Sequence, residues 1–207
     1  MLAGHFGLAA AVKSREPQLP VWSLMLCTQL LDVFFVVLYL MGIESFEPVP
    51  GTNGGYGNTI IHANYTHSLV GALALSVLAM LMAMIPWGRR NGLILGAMVF
   101  SHWILDLIVH HPDMPILPGN AGNLPLLGFG LWSIPWFSFL AELILILAGA
   151  YLYYHAAMRT AVRAERQDLK EGPTPKAPYR QQSLTASIVM AVLLVATLLG
   201  DFFGVLA

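Results

Sequence analysis

Three side chains that can bind a metal ion recur at helical spacing in one apolar segment. His102, Asp106 and His110 are four residues apart. At 3.6 residues per turn, positions i, i+4 and i+8 lie on one face of a helix, so the two imidazoles flank the carboxylate in a single row. Imidazole nitrogen and carboxylate oxygen are zinc ligands, and two ligands four residues apart can bind one ion. The spacing predicts a metal site or a proton path.

Further histidines and acids lie in other apolar segments. A carboxylate at the centre of a membrane helix costs about 2.5–3.5 kcal/mol, and such residues usually have partners. Counting about 1.5 Å per helical residue places these groups in one layer between the middle of a bilayer and one surface. The additional candidates are His5, Asp32, His62, His67 and Glu142. We expect them to share a polar site with the helical row.

The composition is that of a membrane protein. Of 207 residues, 57% are hydrophobic and 10% are charged, against about 25% charged in a typical soluble domain. The formal net charge of −1 leaves no positive excess for binding nucleic acid. The single cysteine, Cys27, excludes an intramolecular disulfide and a Cys-x-x-Cys metal motif. A bound metal therefore needs histidine and carboxylate ligands.

Five apolar runs have the length of membrane-spanning helices, about 20 residues. They lie at residues 21–43, 61–85, 92–109, 131–154 and 184–206. A further run, 2–12, is long enough for only about half of the hydrocarbon thickness. It also lacks the basic leading region of a signal peptide. We predict an all-α integral membrane protein with about five transmembrane helices and a short N-terminal re-entrant or interfacial helix.

The basic residues predict the orientation. All ten Lys and Arg precede the first predicted helix or lie in the loops after the second and fourth. The loops 44–60 and 110–130 contain none and are rich in Gly and Pro. Since Lys and Arg accumulate on the cytoplasmic side, we expect the basic loops in the cytoplasm and the Gly/Pro-rich loops outside. The expected units are a membrane-embedded bundle at 1–162, a cytoplasmic linker at 163–183 and a last transmembrane helix at 184–207.

Short motifs distributed over the chain resemble those of a bacterial family. Their order and spacing, over roughly residues 4–142, are similar to those of bacterial membrane-bound proteins classed as metal-dependent hydrolases by likeness to zinc-dependent phospholipase C. The motifs are GHFGLA at 4–9, LD at 31–32, YTHSL at 65–69, SHWILD at 101–106 and HHPDMP at 110–115. The resemblance implies a multi-pass protein of the bacterial inner membrane.

The resemblance also implies a set of metal ligands: His5, Asp32, His67, His102 and Asp106. These suffice for two ions if carboxylates bridge. His62 matches the first histidine of the family's His-x4-His pattern, although the arginine that often follows it is Ala63 here. His110 joins the candidate ligands by its spacing. Glu142 resembles an acid of the closer relatives, and Asp106 and Glu142 are the candidate catalytic residues.

The leading hypothesis is a hydrolase that activates water with a divalent metal, zinc first, with manganese or iron as alternatives. Such a metal lowers the pKa of its water from 15.7 towards about 7. Because the site lies at the depth of lipid headgroups, we expect a lipid or lipid-linked phosphoester as the substrate. With no Lys or Arg in the outer loops, the metal itself would have to hold the phosphate.

Two other functions fit the same residues. Buried acids and imidazoles also form proton or metal-ion pathways, which is the non-catalytic alternative. Two histidines on facing helices, such as His67 and His102, can bind a b-type haem. The neighbouring carboxylates disfavour haem. His110, at a helix end, can also serve only to interact with the helix dipole.

Overall fold

The computed structural model describes residues 1–52, 56–172, 174–175 and 177–203. The described chain is mainly helical, which confirms that the fold is all-α. The helices are α1 (Leu2–Lys13), α2 (Val21–Thr28), α3 (Leu30–Leu40), α4 (Leu69–Val109), α5 (Pro135–Glu171) and α6 (Tyr179–Phe202). Two short strands, β1 (Ser45–Pro48) and β2 (Thr59–His62), pair antiparallel as a hairpin. Single 3₁₀ turns occur at Pro118–Asn120 and Leu131–Ser133.

Three helices, α4, α5 and α6, are long and apolar enough to cross a membrane. The consecutive helices α2 and α3 also pass this test when taken together, with a bend of 52° between them, and count as a fourth if they form one span. Large apolar side chains such as Ile85 and Leu147 are exposed on these helices, as on helices whose solvent is lipid. By length and composition, these helices are therefore candidate membrane spans, three or four in number within the described residues.

The 41-residue helix α4 is divided at Gly88, which has φ 77° and ψ 170°. This left-handed backbone conformation favours glycine. A Cβ on Gly92 would lie 2.7 Å from the carbonyl oxygen of Met80, and one on Gly96 would lie 2.9 Å from that of Ser76. Residues that come later in the second arm thus contact residues that come earlier in the first arm. The arms 69–87 and 89–109 pack as an antiparallel pair, where the sequence predicts two helices and a loop.

The first arm begins later than the sequence predicts. Residues 59–62 form β2, and the chain then turns before Ser68, whose hydroxyl oxygen accepts a hydrogen bond from the backbone N–H of Gly71 at 3.0 Å. Ser68 is thus the N-cap of α4. The β-branched residues Thr59, Ile60 and Ile61 belong to the hairpin, because such residues suit strands as well as apolar helices.

The last two helices also differ from the predicted boundaries. With 37 residues, α5 extends to Glu171, so the first half of the predicted linker 163–183 is helical. The final helix, α6, begins at Tyr179. Glu165 and Arg180 connect the two, with 2.7 Å between Oε2 and Nε. The end of the predicted span 184–206 lies outside the described residues beyond position 203.

The N-terminal helix α1 packs in the interior of the bundle. A Cβ on Gly149 of α5 would lie 2.1 Å from the carbonyl oxygen of Gly7. Small residues permit such close approach of two helix backbones, as they do in membrane helix pairs. His5 is buried as a result. This packing brings an N-terminal imidazole beside α4.

Candidate metal centre

The carboxylate of Asp106 is the centre of a buried group of histidines. Its Oδ2 atom lies 2.9 Å from Nε2 of His102, one helical turn earlier in α4. The same oxygen lies 3.5 Å from Nε2 of His67 and 3.8 Å from Nε2 of His110. On the other side, Oδ1 lies 3.1 Å from Nε2 of His5. The predicted row on α4 is therefore confirmed as one face, and α1 and the turn before α4 add two imidazoles.

Asp32, in the first turn of α3, completes this group. Its Oδ1 atom lies 3.4 Å from Nε2 of both His67 and His102, and those two nitrogens are 3.3 Å apart. We name the six residues His5, Asp32, His67, His102, Asp106 and His110 the His/Asp cluster. The Asp32 side chain is 42% exposed, whereas the other members are buried. The cluster therefore opens at Asp32.

The bend between α2 and α3 positions two parts of the cluster. The predicted single helix 21–43 is interrupted at Gln29, which has φ −114° and ψ 5°. The Thr28 hydroxyl donates to the carbonyl oxygen of Met25 at 2.9 Å, a local bond of the kind that bends helices. The Thr28 carbonyl oxygen lies 2.6 Å from Nδ1 of His102 and accepts its proton. The bend thus orients His102 and starts the helix that carries Asp32.

A second acceptor fixes the orientation of His67. Glu44, a buried acid just before β1, accepts hydrogen bonds from the backbone N–H groups of Tyr65 and Thr66 at 2.7 and 2.9 Å. Its Oε2 atom also accepts the Thr66 hydroxyl proton at 2.8 Å. Because that hydroxyl has only one proton, its oxygen accepts from Nδ1 of His67, 2.9 Å away. The neutral ring then carries a lone pair on Nε2, which faces the cluster.

His110 is oriented in the same way. Its Nδ1 atom lies 2.9 Å from Oδ1 of Asp113, and the other Asp113 oxygen accepts from the backbone N–H of Ile61 at 3.0 Å. A carboxylate on one ring nitrogen is a common support for a metal-binding histidine. At 3.8 Å from Asp106, however, His110 lies at the edge of the cluster.

The atoms that converge on the open side match the geometry of a tetrahedral ion. Ligand atoms about 2.0–2.1 Å from a zinc ion at tetrahedral angles lie about 3.3–3.4 Å from one another. Nε2 of His67, Nε2 of His102 and Oδ2 of Asp106 lie 3.3, 3.5 and 2.9 Å from one another, so these three atoms can occupy three corners of such a tetrahedron. Two imidazoles with one carboxylate form a donor set found in catalytic zinc sites, where the fourth position is left for water. These residues therefore fit a divalent metal.

His5 occupies the opposite side of the Asp106 carboxylate. Its ring stacks on that of His102, with 3.9 Å between centroids and 8° between planes. Atoms of His5, His102 and Asp106 lie within 4.8 Å of one another, so a second ion could share the last two residues. Among the described residues, none hydrogen-bonds to Nδ1 of His5.

Two predicted site residues lie elsewhere. His62 is on β2 with its side chain 42% exposed, and its Nε2 atom is 3.2 Å from Oε1 of Glu47 on β1. Glu142 of α5 is buried and accepts the backbone N–H of Gly4 at 3.0 Å and the hydroxyl of Tyr56 at 2.8 Å. Burial and the adjacent Glu142 raise the pKa of Tyr56. Glu142 therefore joins α1 to the loop between β1 and β2.

The sequence pattern does not identify the residues that orient the imidazoles. Thr28 acts through a backbone carbonyl, which no side-chain pattern can reveal. Glu44 lies at the end of a predicted span, where an acid is expected at a membrane surface. Thr66 and Asp113 do stand within the quoted motifs, next to or near a histidine. Their closeness to a histidine in the sequence is the signal by which these two residues could have been identified.

No protein-family model, curated protein sequence or solved structure matches this chain.

Proposed function

We propose that this protein is a membrane-embedded hydrolase that binds a divalent metal, zinc first, in the His/Asp cluster. The observation that carries the proposal is the convergence of two imidazole nitrogens and one carboxylate oxygen, from His67, His102 and Asp106, at separations of 2.9–3.5 Å, with the Asp32 carboxylate 3.4 Å from both nitrogens. Oriented Nδ1 protons on both rings leave the Nε2 lone pairs for the ion. A metal held there polarises an ester oxygen and lowers the pKa of a coordinated water.

Each residue has a specific role in this proposal. His67, His102 and Asp106 are buried and hold the ion. Asp32 is the exposed member, so it is placed to accept a proton from an incoming water. In hydrolysis of a phosphoester, the water oxygen bonds to phosphorus and one P–O ester bond breaks. The proton passes from the water through Asp32 to the departing oxygen, which leaves as an alcohol.

The proposed substrate is a phosphoester of a lipid or a lipid-linked molecule. The motif resemblance to bacterial membrane-bound hydrolases supports this class. The loops 44–60 and 110–130 have no Lys or Arg with which to bind a phosphate, so charge neutralisation falls to the ion.

We further propose five membrane passes. The bent α2–α3 pair would form one, the two arms of α4 two more, and α5 and α6 the remaining two, with α1 re-entrant between them. All ten Lys and Arg would then face the cytoplasm of a bacterium and the β1–β2 hairpin would face outward.

The test is metal content by mass spectrometry together with hydrolysis of a panel of lipid phosphoesters. Detergent-purified native protein should contain one or two equivalents of zinc or manganese and show turnover. His102→Ala and Asp106→Ala should lose both, whereas His155→Ala, which changes a histidine of α5 outside the cluster, should lose neither. Undiminished turnover in the two cluster variants would refute the proposal.

A proton or metal-ion pathway is the second candidate. It is favoured by the unbroken row of contacts from Glu44 through Thr66, His67 and Asp106 to His5. Absence of metal in all samples, with ion flux in proteoliposomes that depends on Asp32 and Asp106, would establish this alternative. A haem is disfavoured because both carboxylates lie against the two imidazoles, where the porphyrin would have to lie.

A further inference from the structure

The one exposed member of the His/Asp cluster stands on an apolar face. Asp32, Val36 and Leu40 follow one another at intervals of four on α3, so they share one side of the helix. Val36 is 51% exposed and Leu40 is 78% exposed. Leu31 is the buried residue of α3, which places this helix at the margin of the bundle. The opening at Asp32 therefore continues into a surface of aliphatic side chains.

A row of aromatic rings runs beside this face from the cluster to the hairpin. The Phe35 ring meets the His67 ring edge-on, with 6.1 Å between centroids. Phe35 stacks with Tyr39 at 6.2 Å, and Tyr39 stacks with Phe46 of β1 at 4.9 Å. We name Phe35, Tyr39 and Phe46 the aromatic row. It gives a continuous apolar path about three side chains long between the hairpin end of the bundle and the metal ligands.

We infer that the site takes its substrate from the lipid phase along α3, with the apolar chain of the lipid on the aromatic row and its phosphoester at Asp32. This inference rests on the proposed function and narrows its substrate class to esters that reside in the bilayer. A water-soluble ester would have to cross an exposed aliphatic and aromatic surface that offers its charge no partner. A lipid already occupies that surface, and contact along the row would align its ester with the cluster.

The direction of the opening can be measured without any turnover. In a Cys27→Ser background, Val36→Cys carrying a nitroxide is placed in lipid vesicles, and its relaxation by oxygen is compared with that by a water-soluble nickel chelate. Leu147→Cys on α5, 57% exposed, is the lipid-facing control, and Ala121→Cys in the exposed loop is the aqueous control. Val36 should resemble Leu147. A preference for the nickel chelate, as at Ala121, would overturn the inference.

Matched substrates provide the second test. Long-chain phosphatidylcholine in vesicles should be hydrolysed at least about tenfold faster than soluble dibutyroyl phosphatidylcholine, which has the same headgroup and leaving alcohol, because only the long-chain lipid is aligned at the site. Tyr39→Ala should lower turnover of the lipid with unchanged metal content, while Tyr151→Ala, an exposed tyrosine of α5, should not. Equal turnover of both substrates would overturn lipid-side access and leave the hydrolase proposal intact. Turnover of neither would count against the hydrolase, while the nitroxide measurement would still decide which way the site opens.

Discussion

The Nε2 atoms of His67 and His102 face each other at 3.3 Å. On each ring the Nδ1 proton is already directed elsewhere, to the Thr66 hydroxyl and to the Thr28 carbonyl. Two neutral rings oriented in this way would oppose lone pairs at close range, beside two carboxylates. A positive charge between them, either a proton or a metal ion, removes that repulsion. This relationship is the strongest physical reason to expect a cation at this position.

Removing the Thr66 hydroxyl should weaken metal binding without removing a ligand. In Thr66→Val the methyl groups preserve the shape of the side chain, but His67 loses the acceptor that fixes its tautomer. Loss of such a supporting contact typically costs about 10–100-fold in metal affinity. Competition with a chelator would measure it. Thr66→Ser retains the hydroxyl and should bind metal normally; equal weakening in both variants would contradict the relay from Glu44.

His67 and His62 should respond differently to alanine. His67→Ala removes a nitrogen that lies within 3.5 Å of three other cluster atoms, so metal content should fall by most of an equivalent. His62→Ala removes only an exposed contact with Glu47, and its metal content should equal that of the native protein. Metal analysis of the two purified variants checks this. A loss of metal in His62→Ala would show that His62 is a metal ligand.

The contact between α1 and α5 should tolerate no added methyl group. In Gly149→Ala the new Cβ would lie 2.1 Å from the Gly7 carbonyl oxygen, so the helices must separate. Overpacking of this kind costs about 1–3 kcal/mol of stability, and the separation would also move His5 from Asp106. Thermal unfolding in detergent measures the effect. Gly172→Ala, which meets open space, should change stability by less than about 0.5 kcal/mol.

Tyr56→Phe should destabilise the protein but retain its metal. The change deletes the hydroxyl that donates to Glu142 at 2.8 Å, and leaving a buried carboxylate oxygen without its donor costs about 1–3 kcal/mol. Because the pKa of Tyr56 is raised, the contribution should be full below the ordinary tyrosine pKa of about 10 and should decline at higher pH. Unfolding measured across that range checks the sign. Tyr151→Phe is the exposed control, and metal loss in Tyr56→Phe would instead place Glu142 in the metal site.

The sequence determined the features that depend on near neighbours in the chain. Apolar runs of sufficient length predict membrane helices, because the bilayer requires every backbone group of a span to bond within it. The i, i+4, i+8 spacing placed His102, Asp106 and His110 on one face, because helical geometry is local. The expectation of a helix from residue 61 failed because apolar β-branched residues suit a strand equally well.

Only the tertiary structure decided which distant groups meet at Asp106. His5 is 101 residues away from Asp106 in the chain. The close backbone contact between Gly7 and Gly149 places His5 beside Asp106. Asp32 is brought to the cluster by a bend at Gln29, where the sequence contains neither the Pro nor the Gly that would predict a bend. Glu44, which orients His67, lies outside the predicted helices. Such pairings depend on how helices pack against one another, and side-chain spacing within a single helix carries no information about its neighbours.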